Sequence, residues 1–407
     1  MKTIGISMVG SGFMGKLHTL SIGSYPIYYY PSDVQPRLEC IVGHTPQAAQ
    51  EGMKQFGFRR AATDWRTLLT DEKTDVIVIA TPNDLHRQIA IEAIRAGKHV
   101  FCEKPLGLNA QEAYEMYKEA ERMGVVAACG HNNRALAAVR MIKRLMERGE
   151  FGTIYSIQMR YIQSWGMSDL KPMQWRFDEK RAGSGTLGDT GSHAIDIGRY
   201  LLGDVRRVCA VSRTFVKERN IYANALLSGA DTSTLLGTQA VDVDDDIKTL
   251  VEFENGATGT LWSSRFCLGH EDSLDIEIYG SKGSARFSRE RPNELEFYSS
   301  NDPSDERGFH RIKMGPEHPN GELWPMADLG IGYVEQKCVE YRDFFRAVAL
   351  GDRHWSLAAS MTVIKYVSLS TRQSSPHVRA AGSSWRIYND GKLFTACKTR
   401  KLCLGLL

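Results

Sequence analysis

Apolar residues recur in two textures along this chain, and the change between them near Gly149 divides it. In the first part, short apolar runs alternate with stretches whose apolar residues return every three or four positions. The runs predict strands over 3–9, 37–42, 75–80, 98–102 and 125–129; the periodic stretches predict helices, most plainly over 84–96 and 109–123, with Asn109 as an N-cap. Alternation of this kind makes parallel βαβ units, an α/β doubly wound sheet. Beyond Gly149, apolar and polar residues alternate over 154–162, 247–253, 258–265, 274–279 and 284–288, with turn pairs Asn255-Gly256 and Gly280-Ser281. That texture predicts a large, mainly antiparallel open sheet, and helical patterns over 191–202, over 333–349 and from Ala358 onward complete an α+β domain. The division is therefore residues 1–131, 132–370 and a basic, atypical tail over 371–407. Two stretches carry little periodicity. The tyrosine-rich segment 24–36 (Tyr25, Tyr28, Tyr29, Tyr30) reads as a loop, and the polar segment 219–238 as a surface excursion.

Length and composition narrow the class of partner. A chain of 407 residues exceeds what one core organises, and 42% hydrophobic with 24% charged residues excludes a disordered or fibrous protein. The net charge of +3 comes from the last 37 residues, which hold seven basic residues and one acid; the remainder is 44 basic against 47 acidic. A near-neutral body gives no field for nucleic acid, so a small-molecule partner is expected. Eight scattered cysteines without a C-x-x-C pair suit reduced thiols in the cytoplasm. No segment is long and apolar enough to span a membrane, and the first residues run straight into a strand pattern without a leader's features.

Chemistry concentrates where the predicted parallel strands end. The first strand leads into Gly10-Ser11-Gly12-Phe13-Met14-Gly15 and then a helix pattern, the dinucleotide fingerprint in its strand-loop-helix setting. Gly10 permits a tight turn, Gly12 a close backbone approach to a pyrophosphate, and Gly15 close helix packing; Phe13 and Met14 flank the same loop. This predicts a Rossmann domain. After the second strand, where an acid would bind the ribose hydroxyls, stand Gly43, His44 and Thr45. These residues leave NAD and NADP both open, and replacing Gly43 by Asp is expected to favour NAD. Thr81-Pro82-Asn83 with His86 follows the third strand, and Glu103-Lys104-Pro105 follows the fourth. Both lie where doubly wound sheets bind ligands, and the proline holds Lys104 on a stiff turn.

In the second part, Asp189 and His193 are four apart and, on a helix, share a face. A carboxylate beside an imidazole orients it and raises its basicity, as a general base requires; a capping Asp and a satisfied core His are the alternative. The acidic run Asp242-Val243-Asp244-Asp245-Asp246 lacks the glycine and the twelfth-position acid of a calcium loop, and His193 has no partners at zinc spacing, so no metal is predicted.

Taken together, these motifs and Gly130-His131-Asn132-Asn133-Arg134 resemble the Gfo/Idh/MocA oxidoreductase family over roughly residues 3–370. Within it, Tyr161-Ile162-Gln163-Ser164-Trp165, Trp175-Arg176-Phe177 and the Val241–Asp245 run look most like the levoglucosan dehydrogenases. The resemblance implies an NAD(P)-dependent sugar dehydrogenase acting on a ring hydroxyl, with inositol as the alternative substrate class and a non-catalytic NAD(P) sensor as the alternative of another kind. It implies His193 as base, Lys104 polarising the substrate oxygen, and Asp189 beside them. Asn132, Glu103, Trp175 and Arg176 would seat the nicotinamide end, while Asn133, Gln163, Trp165 and Tyr333 would line the sugar pocket. Dimers or tetramers through the second domain's sheet are implied too. The family commonly has an aromatic and a Tyr where this chain has His131 and Asn133, so the pocket wall there is altered.

Overall fold

In a computed structural model of the chain, residues 2–222 and 234–351 are described, together with the backbone of two short paired strands, Arg386–Asn389 and Lys392–Thr395. The predicted helix from Ala358 and the basic composition of the tail lie outside the described residues. The N-terminal part alternates β1 (Lys2–Val9), α1 (Phe13–Tyr28), β2 (Val34–Val42), α2 (Pro46–Phe56), β3 (Arg60–Ala62), β4 (Val76–Ile79), α3 (His86–Arg95), β5 (His99–Cys102), α4 (Ala110–Met123) and β6 (Ala127–Cys129). Its sheet runs β3-β2-β1-β4-β5-β6 with every pairing parallel. The strands are apolar on both faces because helices cover both, and β4 is buried at every position. Asn109 caps α4 by accepting the Glu112 amide at 3.0 Å, as its sequence position predicts.

Strand order reverses between β1 and β4, so their carboxyl ends part and open a crevice. Gly10 and Thr81 lie at its lips.

The tyrosine-rich segment is not a loop. Helix α1 runs through Pro26 to Tyr28, and β2 already begins at Val34. Packing overrides the breaker: Tyr25 is buried edge-on against Phe345, and Tyr28 donates to Glu335 at 2.9 Å. A proline within a helix forgoes its own amide hydrogen bond and crowds the carbonyl four residues back, a local cost that this packing offsets.

The second part comprises α5 (Ala137–Glu147), β7 (Ile154–Ile162), α6 (Glu179–Ala182), α7 (Ser192–Leu202), β8 (Val205–Arg213), β9 (Glu218–Tyr222), β10 (Leu235–Ala240), β11 (Asp246–Phe253), β12 (Thr258–Ser264), β13 (Ser273–Gly280), β14 (Gly283–Ser288), β15 (Glu294–Ser299), β16 (His310–Lys313) and α8 (Tyr333–Leu350). Eight strands form one open sheet, β16-β15-β14-β13-β7-β12-β11-β8, antiparallel except where β12 runs parallel to β7. The segment read as a surface excursion contributes a separate β9–β10 hairpin, and Arg219 within it is fully buried, donating to the carbonyls of Gly166, Ser168 and Lys171. Helix α8 leaves the second sheet and returns to the first, where Tyr341, Phe344, Phe345 and Val348 join Ile4, Ile6, Val76 and Phe101 in one core.

At the end of β2, Gly43 is buried, and a Cβ built on it would stand 2.5 Å from the Ala49 amide nitrogen and 2.8 Å from its Cα. Any side chain at position 43 would therefore crowd α2, a steric cost that stands beside the expected effect of Gly43→Asp on cofactor preference. Overpacking of this kind costs about 1–3 kcal/mol, so Gly43→Asp is expected to lower the denaturation midpoint. A normal midpoint accompanied by a redirected cofactor preference would contradict the steric reading.

Candidate active site

The crevice is shaped for a dinucleotide. Gly10 has φ of 112°, and a Cβ there would strike the carbonyl of Ala80 at the end of β4. A Cβ on Gly15 would strike the Gly10 carbonyl, whereas one on Gly12 meets nothing within 4 Å, leaving open space at the N-terminus of α1. No side chain caps that terminus, so its amides face the crevice. Phe13 is 74% exposed beside it and Met14 half-buried. Deeper in, Thr81 Oγ1 and Asn132 Nδ2 are buried without a hydrogen-bond partner among the described residues. A cleft with open backbone donors and orphaned polar groups along its floor fits a dinucleotide.

Lys104 projects from the loop after β5, on a cis Lys104-Pro105 peptide, and donates from Nζ to Asp189 Oδ1 at 2.9 Å and to the Asp189 carbonyl at 2.7 Å. Burial would raise the Asp189 pKa, but Lys104, then Arg176 and Arg265, outweigh it and hold the carboxyl at about 2. Arg176 lies against the ring of Trp175, 4.3 Å from its centroid, in the short turn Trp175–Phe177.

Asp189 and His193 do not form the expected pair. Leu187–Gly191 is a π-helical turn that runs into α7, and the Asp189 carboxylate is engaged by Lys104. His193 instead lies between the rings of His131, at 5.5 Å, and Tyr161, at 5.7 Å. Its pKa is lowered well below 6.5, not raised, because burial and then Lys104 and His131 disfavour the imidazolium. Nδ1 of His193 has no partner among the described residues.

Sugar-pocket candidates form a connected wall. Trp165 Nε1 donates to Gln163 Oε1 at 2.8 Å, and Gln163 Nε2 and Tyr161 OH both donate to Asp272 Oδ1, at 2.9 and 2.6 Å. Arg289 pairs with Asp272 at 3.2 Å and donates to Asn133 Oδ1 at 2.9 Å, which also accepts from Gln336 at 3.0 Å. Tyr333 lies 5.4 Å from the Arg289 guanidinium, and its pKa is pushed up to about 12, chiefly by burial.

Three residues predicted to contact the cofactor, His86, Asn83 and Thr45, also make bonds within the protein. Both ring nitrogens of His86 meet backbone carbonyls, of Pro105 and Thr81, at 3.0 Å, so the fully buried ring is a strut between two loops. Asn83 donates to the Ala182 carbonyl at 2.9 Å and ties the first domain to α6. Pro82 opens the short turn that carries Asn83, and Thr45 caps α2 by accepting the Ala48 amide at 3.1 Å. His44 is exposed at the crevice rim.

Glu103 is buried rather than open to a ligand. His18 Nε2 is 2.8 Å from its Oε1, Lys337 Nζ donates at 3.2 Å, and the Lys104 amide reaches Oε2 at 3.2 Å. Burial would raise its pKa, but Lys337, His18 and Lys104 hold it well below the usual carboxylate range. Lys337 also pairs with Glu340 at 3.1 Å, and Tyr341 OH sits 2.6 Å from His18 Nδ1. Burial and Lys337 hold His18 at about 4, so it stays neutral, with Nε2 donating to Glu103.

Sequence reasoning assigned no role to several residues that hold this arrangement. Asp244 accepts the amides of Gly185 and Leu187, each at 2.8 Å, and its carbonyl accepts the Thr186 amide at 3.0 Å, fixing the turn that carries Asp189. Asp245 binds the Phe215 amide and the buried Arg265, both at 2.7 Å. The signal was the acidic run itself, since adjacent acids entering an apolar strand need donors once buried. Asp272, Arg289, Lys337 and His18 gave no local signal.

Residues 4–131 match the oxidoreductase family with an NAD-binding Rossmann fold, and residues 139–286 match the GFO/IDH/MocA C-terminal domain. The levoglucosan dehydrogenase of Pseudarthrobacter phenanthrenivorans is 40% identical over 357 residues, covering 86% of this chain and 90% of that protein. Among solved structures, a levoglucosan dehydrogenase in complex with NADH and levoglucosan superposes with a TM-score of 0.83 at 36% identity, covering 92% and 98% of the two chains. An oxidoreductase domain protein from Kribbella flavida gives 0.81 at 32% identity, covering 91% and 98%. With its parallel sheet, glycine loop and open second sheet, the chain belongs to the Gfo/Idh/MocA family of NAD-binding oxidoreductases.

Proposed function

We propose that this protein oxidises a ring hydroxyl of a pyranose sugar or glycoside of the levoglucosan type, at the 3-position to a 3-keto sugar, with NAD as acceptor. The observation that carries the reading is the Lys104–Asp189 pair standing beside a buried His193 whose Nδ1 has no partner among the described residues. Likeness to levoglucosan dehydrogenases supports the substrate class. We assign a dinucleotide-binding domain to residues 1–131 and a substrate-binding and oligomerisation domain to 132–370, with both contributing contacts to each ligand. The glycine loop and Asn132 would hold the cofactor, with Trp175 and Arg176 at its nicotinamide end.

Bound NAD supplies the hydride acceptor. Lys104, anchored on Asp189 through two of its ammonium protons, directs the third at the substrate oxygen and stabilises the negative charge that develops there. His193, neutral at working pH, is free to take the hydroxyl proton. The linked wall of Gln163, Trp165, Asn133 and Tyr333 fixes the ring, and orientation of this kind is worth about 7–11 kcal/mol in a bound complex.

A cytoplasmic location is proposed from the cysteines, six of which are free among the described residues. Assembly into dimers or tetramers is proposed through the outer face of the second sheet, where Leu250 is 61% exposed beside Lys248 and Trp262. Light scattering at micromolar concentration should give a dimer or tetramer mass; a monomer would overturn this.

Reduction of NAD at 340 nm is expected with levoglucosan, glucose or glucosides in preference to inositols. Lys104→Ala and His193→Ala should each lose nearly all turnover while binding NADH with unchanged affinity. Retained activity in both removes the assignment, and turnover of inositols alone selects the other substrate class. Wild-type silence across the panel, with nucleotide still bound, would point to a sensor. Because the folded-state pKa of His193 lies well below 6.5, its base form persists as pH falls through 6.5. Accordingly kcat/KM should stay level there and decline only at lower pH, and an acid limb centred near 6.5 would contradict the buried, neutral base.

A further inference from the structure

We propose that His131 is a substrate-binding residue, holding the ring hydroxyl adjacent to the one that reacts; this rests on the sugar dehydrogenase reading above. His131 follows β6, at the carboxyl edge of the parallel sheet, and opens the turn Asn132–Ala135. The residue is 5% exposed, yet neither Nδ1 nor Nε2 has a hydrogen-bond partner among the described residues. A neutral imidazole carries one donor and one acceptor, and burying both unsatisfied is costly enough to be rare in a folded protein. The ring meets that of His193 edge-on, with centroids 5.5 Å apart and an interplanar angle of 76°.

Two imidazoles so placed suit two neighbouring ring hydroxyls, which lie within hydrogen-bond distance of each other on a pyranose. A hydroxyl both donates and accepts, so one group can serve either nitrogen. The rest of the wall offers little else. Gln163, Tyr161, Asp272 and the Asn133 side-chain oxygen are bound to one another or to Arg289, while Asn133 Nδ2 is, like His131, buried without a partner among the described residues. Burial first, with Arg134 and Lys104 adding, holds the His131 pKa at about 4, so the ring is uncharged at neutral pH and fits a neutral polyol better than an anion.

The test compares wild type with His131→Phe, close in shape but without polar atoms, on the panel sugar that wild type turns over best and on analogues lacking the hydroxyl on either side of the oxidised carbon. Wild type should discriminate against one deoxy analogue by about 10- to 100-fold in kcat/KM. His131→Phe should lose that discrimination and turn over both sugars at the lower rate, with NADH affinity by fluorescence titration unchanged. Weakened NADH binding with discrimination intact would assign His131 to the cofactor and overturn the proposal, as would equal discrimination by both proteins. Should His131→Phe fail to fold, His131→Ala carries the same comparison. If wild type turns over no sugar, the dehydrogenase reading falls first and this inference with it.

Discussion

The structure depends on a carboxylate that has been taken out of water. Glu103 sits at the end of β5, next to Lys104, and is buried. An isolated carboxylate in such a place is prohibitively unfavourable, so the fold must bring it a cation and hydrogen-bond donors. They arrive from three parts of the chain: His18 from α1, Lys337 from α8 and the backbone amide of Lys104 itself. Removing Lys337 would leave the charge uncompensated and removing His18 would leave a carboxylate oxygen short of a donor, which is why α8, more than two hundred residues downstream, must return to the first sheet. The aromatic cluster of Tyr341, Phe344 and Phe345 on Phe101 supplies the apolar half of the same docking.

A second buried set holds the opposite side of the site. Asp244 and Asp245 grip the turn carrying Asp189 and the guanidinium of Arg265, and the hydroxyls of Thr186, Thr190 and Ser263 close a network behind them. Lys104 and Asp189 thus belong to two independently rigid supports that meet in one ion pair. The geometry of the pair is therefore held from both sides. The low basicity of His193 follows from the same packing: burial first, and then the nearby Lys104 ammonium, disfavour the imidazolium.

Local chemistry left a clear mark in the sequence wherever a residue acts through its own backbone neighbours. The glycine loop, the β-strand runs and the Asn109 cap are of this kind, and so is the position of Lys104 after a buried strand. Readings failed where a distant element decided. Pro26 lies inside a helix because Tyr25 and Tyr28 pack on α8. The crowding of Gly43 by α2 and the struts that His86 and Asn83 make were illegible too, because the segments they bring together meet only in the folded chain.

What the sequence determined by itself is the parallel sheet followed by a mainly antiparallel one and the glycine-loop crevice, since periodicity and strand-end motifs are set by residues a few positions apart. Tertiary structure decided the partners. Asp189 is opposite Lys104, not His193; Glu103 is neutralised by Lys337; Asp272 organises the pocket wall from a loop with no motif of its own. Those pairings span tens to hundreds of residues and are selected by the cost of leaving buried charge and buried donors unsatisfied, a quantity defined only once the core has closed around them.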